Sequence, residues 1–372
     1  MIANILDYLR WRGDVSLKYS EFNEVDGAVL ARITYLPFEY ALEPESMEKI
    51  RLDTVADKLL RHHECISIIR KNDDVELLKL LKESERFKSM VLFGFVNKLE
   101  AETQTQFSAI TVGTEEESCY VAFRGTDNTL IGWKEDFNMG FVCPVPAQKL
   151  SVKYIEGIAE HSKGELTVGG HSKGGNLAVY AAAFCSQEVQ SRIRTVYNYD
   201  GPGFDGKVLE QESYKRITDR VNTFVPQSSI VGMLLEHEES YTIVHSEQTG
   251  LMQHNIYSWD VERNKFLYLE SVDSNSKFVD YTIKAWIADM DYAQREEFID
   301  TVYTVIRETN VKTLRELSDN WFASAKIVLK SVKNLDEETR KTVMQALRLL
   351  LKSAKAGFIL TRQSRKIHED EK

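Results

Sequence analysis

The marks of a metal, redox or secreted protein are missing from this sequence. Its four cysteines, Cys65, Cys119, Cys143 and Cys185, are widely spread and form no C-x-x-C pair that would suggest a zinc site or a thiol-redox motif. Two lie in apolar segments, so reduced and buried thiols are the expected state. No run approaches the roughly 18 apolar residues of a membrane span. The opening stretch, MIANILDYLRWRG, carries Asp7 inside its apolar part and has no cleavage-like end, so no signal peptide and a cytoplasmic protein are expected. A basic excess is also missing. The net charge of −10 and pI near 5.5 argue against nucleic acid as the main partner and against tight binding or stable insertion at anionic membranes.

What is present is ordinary globular composition, 43% hydrophobic and 28% charged, over 372 residues. That length predicts one large domain with appendages, or two domains. The chain is organised around ELTVGGHSKGGNLAVYAAAF, residues 165–184. A short apolar run at Leu166, Thr167 and Val168 breaks at Gly169 and Gly170, and an Ala-rich helical segment begins at Asn176. Between them lies Gly170-His171-Ser172-Lys173-Gly174, a G-x-S-x-G turn from strand to helix. A nucleophile in such a strained turn needs flanking residues without Cβ, because backbone segments approach closely there. Ser172 would stand above the sheet edge at the positive end of the helix, where an oxyanion is favoured. The alternative is a glycine-rich structural turn.

Residues 1–90 read as a mostly helical segment. Residues 23–35 space Val25, Val29, Leu30 and Ile33 helically, with a stop near Pro37, and residues 75–92 repeat leucines in the same way. The doublet His62-His63 beside Glu64 and Cys65 points in diverging directions on a helix, so a solvated face is expected there and not a metal site. Strands begin at about Phe95. Residues 107–113 and 118–123 flank the charged turn 114–117 as a hairpin. After it comes Phe123-Arg124-Gly125-Thr126, where a Gly following a strand and a hydroxyl residue with its own N–H suit the second donor of an oxyanion hole. The N–H of Lys173 would be the first.

The pairing of F-R-G-T…W-x-x-D-F, residues 123–137, with the later G-H-S-x-G resembles the class 3 lipases, the fungal triacylglycerol-lipase group of the α/β-hydrolase fold. The chain as a whole is similar to a bacterial branch of lipase-like α/β-hydrolases of unknown function, whose members also open with a helical segment. The resemblance runs from about Asn23 to Trp259. It implies that Thr126 lines the oxyanion hole. Read without it, Arg124 and Asp136 form a structural ion pair and Trp133 belongs to the core.

A helix over residues 148–161 leads into the elbow, and the next strand, 194–199, ends at Asp200-Gly201-Pro202. A carboxylate at the carboxyl end of a strand shares the nucleophile's sheet edge. The acid expected from the resemblance lies one strand later, in a D-x-V-P-like segment, but residues 221–235 hold no carboxylate and Ser229 stands in its place. Either the acid is Asp200, or the site is a dyad or degenerate with Ser229 as a weak substitute orienter. Three histidines follow. His237 sits in a charged, solvated-looking segment, and His245 ends a strand. His254 lies in a loop whose H-x-x-Y resembles the lipase His loop. His171 reads as a packing residue.

The reading is an α/β fold, an α/β-hydrolase with a mostly parallel sheet, in which residues 1–90 pack on a core of residues 91–275. Residues 276–372 would be a helical region with a disordered polar tail, serving as a cap, a dimer surface or a partner-binding module. The expected chemistry is serine ester hydrolysis of a small-molecule or lipid ester by Ser172, His254 and Asp200, without metal or organic cofactor. The competing reading is a degenerate hydrolase acting as a binding module through its helical additions.

Overall fold

In the computed structural model, the described residues are 3–69, 72–100, 102–115, 117–126, 130–139, 143–229 and 231–271, with scattered positions beyond 271. Most of the C-terminal region read as helical, including the proposed cap or dimer surface, lies outside the described residues, as does Ile230.

Alternation in the strands decides which side chains meet which layer. The central sheet follows the order β1-β2-β3-β4-β5-β6-β7-β8-β11, with β1 Ile50–Arg51, β2 Val91–Glu100, β3 Thr105–Glu115, β4 Ser118–Phe123, β5 Leu166–His171, β6 Ile193–Tyr199, β7 Val221–Pro226, β8 Tyr241–Val244 and β11 Tyr268–Leu269. The strands from β4 to β8 pair in parallel, and the remaining pairings are antiparallel. Strands β9 Val261–Glu262 and β10 Lys265–Phe266 form a separate hairpin. This is the mostly parallel, helix-flanked sheet of the α/β-hydrolase fold, with the short turn that bears Ser172 between β5 and the helix after it.

On β4, Tyr120 and Ala122 face one core, whereas Cys119, Val121 and Phe123 face the other. The first core is filled by the N-terminal helices α1 Ile5–Arg12, α2 Glu24–Ile33, α3 Leu52–Arg61, α4 His63–Ile68 and α5 Asn72–Glu83. Helices α6 Leu130–Met139, α7 Pro146–His161 and α8 Lys173–Phe184 come later, and α7 and α8 cover the opposite face. The leucine pattern of residues 75–92 divides in two. Its helical part ends at Glu83, and Leu92 belongs to β2, which starts at Val91 rather than near Phe95. Asn4 and Asn23 cap α1 and α2, each accepting two backbone N–H groups while Asp7 and Asp26 close capping boxes.

Burying helix α2 against the sheet takes charged groups with it, and these are paired. Asp26 and Arg86 are both fully buried, with Arg86 Nε 2.7 Å from Asp26 Oδ1. The remaining guanidinium donors reach the carbonyls of Val15, Ser20 and Glu21 at 2.8–3.0 Å. Arg32 forks onto Asp74 at 2.8 and 2.7 Å. Removing one partner of such a pair leaves an uncompensated buried charge, which costs about 3–5 kcal/mol. Asp26→Ala is therefore expected to lower the unfolding free energy by about that amount in urea titration; a loss under about 1 kcal/mol would show that Arg86 finds water or another partner.

Candidate active site

Strand β5 runs directly into Ser172, which adopts φ 61°, ψ −134°, and α8 starts at the next residue, Lys173, three residues earlier than the Ala-rich run suggests. The left-handed φ strains a serine, and the flanking glycines make room for it. A Cβ on Gly170 would lie 2.3 Å from the Gly174 carbonyl, and one on Gly174 would lie 2.2 Å from the Phe123 oxygen. The Ser172 N–H is spent on the Tyr199 carbonyl at 2.9 Å, tying the turn to β6. Among the described residues the Ser172 hydroxyl makes no hydrogen bond, to His254 or to any other group. Where a serine does act as nucleophile, such a gap to its base is common before substrate binds.

Asp200 follows β6 directly, with φ 53° and no exposed surface. Its N–H bonds the Phe224 carbonyl of β7 at 2.8 Å, which turns the side chain along the sheet edge. Oδ2 lies 2.6 Å from His254 Nδ1. Oδ1 receives the Ser229 hydroxyl at 2.5 Å and the Gly232 N–H at 3.1 Å. The two candidates for orienting His254 are thus not alternatives in space: Asp200 touches the imidazole and Ser229 touches Asp200. Facing a carboxylate, His254 Nδ1 carries hydrogen and leaves the lone pair on Nε2. His254 sits in a 3-10 turn, Gly250–His254, with its side chain 26% exposed, so the ring is reachable from solvent while its partner is sealed.

Thr126 and Lys173 flank the elbow on the other side. The Thr126 hydroxyl donates to Asp136 Oδ2, so the loop bearing the Thr126 N–H is fixed to α6. The Lys173 side chain is buried, and its ammonium contacts Gln106 O at 3.0 Å, Gln106 Oε1 at 2.6 Å and Glu135 Oε2 at 3.0 Å. Glu135 in turn accepts the N–H groups of Gln106 and Ala147, both at 3.0 Å. A buried cation thus ties the first residue of α8 to β3, α6 and α7. Asp136 Oδ1 lies 3.7 Å from the same ammonium. Desolvation by its neighbours pushes the Asp136 carboxyl up to about 6, against the downward pull of Lys173 and Thr126.

The other histidines have partners as well. His237, read as solvated, is buried between Glu239 at 3.1 Å and the Gly232 carbonyl at 2.8 Å, because its segment folds back under the loop that holds Asp200. His245 pairs with Asp260. His171 does more than pack: its Nε2 is 2.7 Å from the His254 carbonyl, and the two rings are 4.6 Å apart. Asp136, Tyr35 and the Lys173 side chain also belong to the neighbourhood of the site. Asp136, a carboxylate ten residues after Thr126, is the only one of these with a local signal. Among the described residues no His, Cys, Asp or Glu cluster is placed to hold a metal ion, and no helix is long and apolar enough to cross a membrane.

Residues 81–304 match the Mbeg1-like family, and the chain belongs to that family. No curated protein matches the sequence. Among solved structures, the chain is similar to a mutant form of MDLA from Penicillium cyclopium, at 13% identity over 67% of this chain and 86% of that one, with a TM-score of 0.39. It is also similar to the Rhizomucor miehei lipase propeptide complex, at 17% identity over 52% of this chain and 66% of that one, with a TM-score of 0.34. A triacylglycerol lipase from Penicillium expansum is matched at 12% identity over 49% of this chain and 74% of that one, with a TM-score of 0.30. At such scores none of these structures bears on the site, and the fold stands on its own strand order.

The raised Asp136 carboxyl has a consequence for stability. A carboxyl whose folded value lies near 6, against an ordinary value of 3.8, binds its proton more readily in the folded chain. Its contribution to stability is therefore present at low pH and is lost as pH rises through about 6. Asp136→Asn removes the titration while keeping an acceptor for Thr126. The variant is expected to gain in urea midpoint relative to the parent at pH 7, and the gain should shrink at pH 5. An equal difference at both values would contradict the assignment.

Proposed function

We propose that this member of the Mbeg1-like family is a serine hydrolase of carboxylic esters. The observation that carries the reading is the buried Asp200 carboxylate 2.6 Å from His254 Nδ1, on the same sheet edge as the strained Ser172. In the proposed reaction, the Ser172 hydroxyl attacks the ester carbonyl carbon and passes its proton to His254 Nε2. Asp200 holds the ring and stabilises the imidazolium, and the backbone N–H groups of Thr126 and Lys173 receive the oxyanion. The imidazolium then protonates the leaving alcohol, and a water activated by the same nitrogen releases the acid. Ser229 acts through Asp200: its hydroxyl and the Gly232 N–H fill the lone pairs that His254 does not use. The degenerate-module reading drew its support from the missing carboxylate at position 229, and a carboxylate from position 200 meets that need.

For the substrate, we infer an ester of short to medium acyl chain. The loop that holds Asp200 carries the half-buried apolar side chains of Val231, Met233 and Leu234. Met252, two residues before His254, is 64% exposed. Both stand beside the proposed His and acid, where an acyl chain would have to lie.

Incubation with a fluorophosphonate followed by peptide mass spectrometry is expected to find the adduct on Ser172, and p-nitrophenyl esters of increasing chain length are expected to give an optimum. A flat profile at background rate, with no adduct, would favour the binding-module reading. Asp200→Asn keeps the shape but presents a donor that favours the wrong imidazole tautomer, so kcat should fall by on the order of 10⁴. Ser229→Ala removes one neutral hydrogen bond to the acid and should cost only about tenfold in kcat. Loss of turnover in Ser229→Ala with full activity in Asp200→Asn would reverse the two roles.

A further inference from the structure

Tyr35 lies just past the end of α2, in the N-terminal layer, yet its hydroxyl reaches the strand ends that carry the proposed site. The oxygen is 3.1 Å from His171 Nδ1 and packs directly against Gly125. The two groups are so close that a Cβ on Gly125 would sit 2.2 Å from that oxygen. On the far side of the imidazole, His171 Nε2 is 2.7 Å from the His254 carbonyl. A carbonyl only accepts, so Nε2 carries the hydrogen of a neutral His171 and Nδ1 holds the lone pair. The Tyr35 proton then goes to Nδ1, at 3.1 Å, rather than to the more distant His171 carbonyl, at 3.5 Å. The result is one directed chain, Tyr35 O–H to His171 and His171 Nε2–H to the backbone of His254, whose first member abuts Gly125. One end abuts the proposed oxyanion loop and the other lies on the residue that would act as base.

The anchor of this chain is rigid. The Arg32 guanidinium packs 4.5 Å from the centre of the Tyr35 ring and is itself forked onto Asp74. Asp74 also accepts the hydroxyl of Tyr257 at 2.7 Å, so the N-terminal layer grips the His254 loop a second time, three residues further on. Burial pushes the Tyr35 hydroxyl up to about 12, which keeps it protonated and able to donate throughout the neutral range.

We propose that Tyr35, acting through His171, is a positioning residue that sets the His254 loop against the oxyanion loop, so that the N-terminal helical layer is a working part of the active site. The kinetic consequence rests on the serine-hydrolase reading above; the structural consequence does not.

The test uses the full chain with Tyr35→Phe and His171→Gln, singly and together. Tyr35→Phe deletes the hydroxyl with its hydrogen bond to His171 and leaves the ring in place. It is expected to lower kcat and the fluorophosphonate labelling rate of Ser172 about tenfold, with KM changed less than about twofold. In the double variant the loss should be close to that of the larger single one, since both act through one chain. Hydrogen–deuterium exchange should rise several-fold in peptides covering residues 124–126 and 250–258 and stay unchanged in the far half of the sheet. Wild-type kinetics in Tyr35→Phe, additive losses in the double variant, or faster exchange across the whole chain would each overturn the proposal. If the parent protein itself is not labelled at Ser172, the hydrolase reading fails. Exchange then decides this inference alone: faster exchange confined to the two segments supports it, and unchanged exchange overturns it.

Discussion

A carboxylate with no exposed surface must have its lone pairs filled from within the protein, and the geometry around Asp200 follows from that requirement. Three donors converge on it, from His254, Ser229 and Gly232, and they come from two separate loops. The parallel pairing of β6 with β7 places Asp200 within reach of the segment after β7, and its backbone is locked there by the bond to Phe224. Ser229 is neutral because it must be. A second carboxylate at 2.5 Å from the first would force one of them to hold a proton, whereas a hydroxyl donates and lets Asp200 remain an acceptor for the imidazole.

The same logic extends to the proposed oxyanion side, where the Lys173 ammonium is neutralised by Glu135 and anchored to the backbone of β3. Both halves of the site are held by buried polar networks; around Asp200 both carboxylate oxygens are filled, whereas around Lys173 the Gln106 Nε2 and Asp136 Oδ1 atoms have no hydrogen-bond partner among the described residues. A network of this kind leaves little freedom to the elbow itself. The Ser172 hydroxyl, by contrast, is unengaged among the described residues and is the part of the arrangement left for a substrate to complete.

Much of this was legible in the sequence. The elbow could be read because strand, turn and helix signals are local, and the clearances at Gly170 and Gly174 are those that the G-x-S-x-G spacing anticipates. Asp200 could be nominated from its place at the end of a strand, and His254 from a loop whose H-x-x-Y resembles the lipase His loop. The relation of Ser229 to Asp200 could not, because it depends on how a loop folds back over a strand end. Helix α8 starts at Lys173 rather than Asn176 because the glycines that signal a break are tolerated in a first turn packed against β4 and β6. His171 and Tyr35 are 136 residues apart and carry no shared pattern, so their contact belongs wholly to the packing of the N-terminal layer on the sheet. His237 misled for the opposite reason: its charged neighbours suggest solvent, yet Glu239 is the partner that lets it be buried.

The central claim is that Ser172, His254 and the N–H groups of Thr126 and Lys173 converge on one reacting carbon. The most direct measurement is a crystal structure of the chain after reaction with a phosphonate, whose tetrahedral phosphorus stands in for the acyl transition state. The account predicts phosphorus bonded to Ser172 Oγ, one phosphonyl oxygen within about 2.7–3.1 Å of both backbone nitrogens, and His254 Nε2 turned toward the leaving-group side with Asp200 still on Nδ1. An adduct whose oxygen points away from Thr126 and Lys173, or a His254 ring parted from Asp200, would contradict it.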